Sequence, residues 1–175
     1  MIHISHRSSV ESELAAVAFG DQPGRWPLPA AITPHQQWLR AVGAAGQGRY
    51  GTAYADLAAL LGAARSDRLF SLAHSAHASF LRQLGWHSLA RGWDGRASAL
   101  AGDDPEAAGD ALIGLAADAL GVGRLVAAAA LLQRADPFVE RFDVTLGRNR
   151  HARFGEGWFF SHEQETGVDI NATLP

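Results

Sequence analysis

Apolar and small residues recur at intervals of three and four along most of this chain, the period of helices buried on one face. The clearest stretch is Ala111–Asp136. In it Leu112, Leu115, Ala116 and Ala119 share a face, Gly121 and Gly123 break the pattern, and an uncharged apolar run follows over Leu125–Leu132. The pattern predicts two short helices folded back on each other. Ala116 and Ala128 are small where the two backbones would approach.

Upstream, Met1–Ser5 alternates weakly and reads as extended. Ser8 with Glu11 has the pattern of a capping box and predicts a helix from Ser9 to about Phe19. Gly20–Ile32 carries Pro23, Gly24, Pro27 and Pro29, which predicts a connector, with Trp26 and Leu28 covering an apolar edge. Thr33, Pro34 and Gln36 form a strong helix start, and that helix should reach about Ala45. Further helices are expected over Arg49–Ala64, from Ser66-Asp67 to Gln83, over Trp86–Leu100, from Asp104-Pro105-Glu106 onward, and over Arg124–Arg134. Another should start at Asp136-Pro137 and end near Gly147. Beyond it the helical period fails. Trp158–Phe160 reads as a short strand or an apolar plug, and Ser161–Pro175 as loosely docked coil.

The turn glycines Gly48, Gly85 and Gly123 lie 37 and 38 residues apart. Helix pairs at such a spacing are a solenoid signature. After each glycine a similar series follows: Tyr50, Ala53 and Leu57; His87, Ala90 and Ala97; Leu125, Ala128, Leu132 and Ala135. This series resembles the second helix of the tetratricopeptide repeat (TPR) family, and the third unit also matches in its first helix. The resemblance covers roughly residues 34–147. Two departures stand out: the spacing exceeds the family's usual 34 residues, and Asp94 stands where a large apolar residue is usual. An irregular bundle with three similar hairpins is the alternative.

The resemblance implies an all-α fold, a short α-solenoid of three TPR-like hairpins. Residues 1–32 would form an N-terminal capping segment and connector, 33–147 the repeat domain, and 148–175 an irregular extension. It also implies a non-enzymatic module that binds a protein or peptide on the concave face lined by the first helices. Carried over position by position, Trp38, Ser75, Ser79, Arg82 and Ile113 fall on that face. The family's carboxylate clamp needs lysines and asparagines there. This chain has no lysine, and Asn149 and Asn171 lie outside the repeats. The expected groove is therefore apolar and weakly charged, with Arg82 its one cation.

Composition narrows the picture further. A net charge of −3 does not suit a general polyanion binder. The absence of cysteine excludes disulfides and thiol chemistry, and suits a cytoplasmic protein. With no lysine, all 15 basic residues are arginine, which together with abundant alanine and glycine reads as a GC-rich genome of the actinobacterial kind. No secretory leader is expected. The Ala111–Leu132 run is interrupted by Asp118 and Arg124, so no membrane span is expected either.

Few residues form a recognisable reactive constellation. His74 and His77 could share a helical face and bind a metal, with His87 further on, but no third ligand at a familiar spacing accompanies them, so packing is the expected role. His162-Glu163 begins a zinc-protease pattern that Thr166 ends. Asp104 is explained as a helix cap rather than as one of a catalytic pair with Asp103. The glycines of AAGQGR and GVGR follow helices and lack the P-loop lysine, so they are turns. Trp38, Trp86 and Trp93 are expected in the core. Arg148, Arg150, His151 and Arg153 carry the alternative function, an effector- or nucleic-acid-associated regulator. The expected partner remains a protein or peptide, without cofactor, and homodimerisation stays open.

Overall fold

The computed structural model describes residues 2–63 and 66–139. Among these residues seven helices follow one another: α1 (Ile2–Ala18), α2 (Pro34–Gly46), α3 (Tyr50–Ala63), α4 (Asp67–Gln83), α5 (His87–Ala101), α6 (Pro105–Gly121) and α7 (Leu125–Val139). No strand occurs among the described residues. They form three antiparallel hairpins, α2–α3, α4–α5 and α6–α7, with α1 packed on α2. The first helices α2, α4 and α6 touch in succession, and α3 and α5 each also meet the next hairpin. This is a short α-solenoid whose inner layer is the α2–α4–α6 row.

The three hairpin turns are built alike. In each, a glycine adopts a left-handed φ: 73° at Gly48, 82° at Gly85 and 75° at Gly123. The glycine N–H bonds the carbonyl three residues back, and the next N–H bonds the carbonyl five back. The pairs are Gly48 to Ala45 and Arg49 to Ala44, Gly85 to Arg82 and Trp86 to Leu81, and Gly123 to Leu120 and Arg124 to Ala119. These are Schellman motifs, which satisfy the last carbonyls of a helix and need a residue without a Cβ at the turn. Five residues after each glycine stands a buried alanine, Ala53, Ala90 or Ala128. Its small side chain lets the second helix settle on the first.

The helix starts follow the sequence closely. Thr33 Oγ1 accepts from the Gln36 N–H at 3.2 Å, and Gln36 Oε1 accepts from the Thr33 N–H at 3.3 Å. Asp104 Oδ1 accepts from the Ala107 N–H at 2.9 Å. Ser66 takes the cap position of α4 with extended backbone, but its side chain caps no N–H.

Four expectations need correction. The chain is helical from Ile2, not extended to Ser5, so Ser8 lies inside α1 rather than capping it. No glycine or proline interrupts residues 2–18, and Val10, Leu14 and Val17 keep helical spacing on a buried face. Next, α7 continues through Asp136-Pro137 to Val139 instead of giving way to a new helix. Pro137 lies inside the helix, where it has no N–H to donate to the preceding turn. Trp86 is 55% exposed, because it follows the turn glycine at the edge of the solenoid. Finally, the connector buries Leu28 but leaves Trp26 half-open under the Arg49 guanidinium, 3.8 Å above its ring. Gln47 Nε2 pins that connector by donating to the carbonyls of Pro23 and Arg25.

The end of the expected helix near Gly147, the basic cluster Arg148–Arg153, Trp158–Phe160 and the tail to Pro175 lie outside the described residues. Among the described residues, no helix is long and apolar enough to cross a membrane.

Candidate binding groove

Because the units repeat every 37 or 38 residues, equivalent side chains of α2, α4 and α6 fall in rows across the inner layer. One row is Trp38, Ser75 and Ile113, and the next, one turn on, is Val42, Ser79 and Ala117. Both rows line a single cleft, joined by Arg82, Phe19, Phe80 and Asp110. All five residues named from the sequence are thus brought together. Trp38 forms one end, buried to 3% exposure, with its ring 5.5 Å from those of both Phe19 and His35. Ile113 forms the other end and is half-buried. The cleft is half-open and its volume is about 40 Å³, far below the roughly 300–1,000 Å³ of a small-molecule site. The walls are mostly apolar.

Arg82 does not stand free in this cleft. Its Nη1 donates to Asp94 Oδ2 on α5, to Asp118 Oδ1 on α6 at 3.3 Å, and to the Gly114 carbonyl at 3.3 Å. Ser75 Oγ donates to Asp94 Oδ1 at 3.3 Å. Both aspartate side chains are fully buried, and Asp118 Oδ2 has no hydrogen-bond partner. The cation expected for a ligand is therefore already held by the protein. Sequence reading missed this network, since its members lie 12 and 36 residues from Arg82. The signal was Asp94 itself, an acid at the position held by Leu57 and Leu132 in the flanking units.

Two carboxylates face one guanidinium, so the pair titrates as a unit. Burial pushes Asp94 well above the usual carboxylate range; Arg82 pulls it down, and Asp118 pushes it up again. Burial likewise raises Asp118 against the pull of Arg82. Burial alone would lower Arg82, but the two carboxylates more than reverse that and hold it charged.

His74 and His77 both lie against the Trp93 ring. His77 stacks on Trp93 with ring centroids 3.9 Å apart and meets Tyr54 edge-on at 4.9 Å. His74 Nδ1 lies 2.6 Å from the Phe70 carbonyl. Burial, and then His74, lower the His77 pKa. In the first unit the same slot between first and second helix holds an ion pair, Arg40 to Asp56 at 3.2 Å. Among the described residues no three His, Asp or Glu side chains are grouped to hold a metal. No protein-family model matches the chain, and no curated protein or solved structure matches it either.

Proposed function

We propose that the chain is a non-enzymatic binding module whose α2–α4–α6 groove receives a segment of a partner protein. The observation that carries this reading is the alignment of equivalent positions, Trp38 with Ser75 and Ile113, and Val42 with Ser79 and Ala117, into one apolar cleft. A solenoid uses such a continuous inner face for extended partners. The size of the cleft suits an inserted side chain rather than a cofactor. The carboxylate pair beside it, Asp94 and Asp118, is fully buried against Arg82. A general acid or base must instead reach its substrate.

The test is comparative capture from the source cells, using the full chain and its Ser79→Trp and Ile113→Ala variants. The first fills the groove and the second removes its far wall. A partner retained by the parent chain and lost with both variants, at unchanged helical content, is the expected result. Equal retention by all three would place the interaction elsewhere on the molecule.

A further inference from the structure

The ionic groups of the inner layer define which segments the groove suits. Resting on the groove reading, we propose that the received segment is basic: an apolar side chain seated between Trp38 and Ile113, flanked by an arginine or lysine that meets Asp110.

The argument begins with the cations. The inner helices carry three arginines, Arg40 on α2 and Arg68 and Arg82 on α4, while α6 has none. Each is committed within the chain. Arg40 pairs with Asp56 on α3, Arg68 with Asp104 and Glu106, and Arg82 with Asp94 and Asp118. No spare cation faces the groove from these helices. An acidic segment would have to compete with buried carboxylates for a guanidinium that they already surround.

The acids give the opposite balance. Asp110 stands on α6 one turn before Ile113 and Gly114, lines the cleft, and is half-buried. Among the described residues it has no ion-pair or hydrogen-bond partner. The Arg82 guanidinium is held between the buried carboxylates of Asp94 and Asp118, so Asp110 is the accessible charge of the groove wall. A carboxylate at the rim of an apolar cleft gains a short charge-assisted hydrogen bond from an arriving cation and repels an arriving anion. The apolar residue of the partner supplies contact area, and the cation sets its position.

The experiment pans a phage-displayed library of random dodecapeptides on the whole chain. Enriched peptides are then titrated against the parent, Asp110→Asn and Ser79→Trp, with Ile113→Ala as the groove variant should Ser79→Trp not fold. The expected peptides pair arginine or lysine with a neighbouring large apolar residue. They should lose about tenfold or more in affinity on Asp110→Asn, weaken as salt rises, and fail to bind the groove variant. Peptides lost with the groove variant but lacking basic residues, or indifferent to Asp110→Asn, would overturn the basic assignment while leaving the groove in place. Peptides that bind the groove variant as well as the parent, or no enrichment at all, would overturn both.

Discussion

The carboxylate of Asp94 on α5 occupies the space where a side chain on Gly114 of α6 would begin. A Cβ built at Gly114 would come within 2.5 Å of both carboxylate oxygens. The absent side chain lets α5 and α6 approach with an acid between them, and places that acid against Arg82. Gly114→Ala should therefore destabilise by about 1–3 kcal/mol through overpacking, outweighing the gain of up to about 1 kcal/mol that alanine brings to a helix interior. Gly95, on the same α5, has open space at its Cβ and an ordinary φ, so Gly95→Ala should show the helix gain alone. Urea titrations of the two variants give opposite signs if the close approach at Asp94 is real.

The Arg82 network should be asymmetric to mutation. Arg82→Met leaves two buried carboxylates without their cation, and breaking a buried pair this way costs about 3–5 kcal/mol. Asp118→Asn removes the like charge beside Asp94 and leaves one ion pair, so it should be neutral or stabilising at neutral pH. Equal losses for the two variants, measured by chemical denaturation, would mean that both carboxylates are ionised and needed.

The repeat was legible because its turns require a residue type. Gly48, Gly85 and Gly123 are forced by left-handed backbone, and their spacing transfers directly to the side-chain rows of the groove. Helix starts with a local cap, Thr33 and Asp104, were equally plain. What stayed hidden depended on contacts across helices. Ser8 and Glu11 mimic a cap, and only the packing of Val10, Leu14 and Val17 against the body shows where α1 belongs. Pro137 looks like a start, but the helix already formed from Leu125 carries through it. Arg82 lines the cleft, but its pairing was not legible, because the acids that hold it come from two other helices. Asp110, unremarkable in sequence, matters only once the neighbouring arginines are seen to be engaged.

Stability should respond to pH in two opposing ways. The folded pKa values of Asp94 and Asp118 are raised, so the folded chain keeps a proton that the unfolded chain gives up near pH 3.9. Their contribution is full below that pH and is lost as pH rises through the folded values. The folded pKa of His77 is lowered. The unfolded chain takes up a proton near pH 6.5 while the stacked ring resists it, so stability is lost as pH falls from there towards the folded value. Melting curves from pH 4 to 8 should thus change with Asp118→Asn, which reduces the rising-pH loss, and with His77→Gln, which removes the falling-pH loss. An Asp118→Asn profile parallel to that of the parent would show that the pair retains no proton.

The alanines that follow the turn glycines offer a test of the repeat itself. Ala128 is 3% exposed and packs with Ala119 and Leu120, with Leu125 and Leu131 beside them, at the crossing of α6 and α7. Its amide bonds the Arg124 carbonyl at 3.0 Å, as Ala90 does Trp86 and Ala53 does Arg49. A phenylalanine there must push the two helices apart, at a cost of about 1–3 kcal/mol. Ala90→Phe should push α4 and α5 apart in the same way, and both variants should cost more than Ala127→Phe, since Ala127 is exposed on α7. Denaturation midpoints of the three variants give that order directly. If Ala128→Phe unfolds with the same midpoint as the parent chain, α6 and α7 do not meet at Ala128 and the third unit is not built like the second.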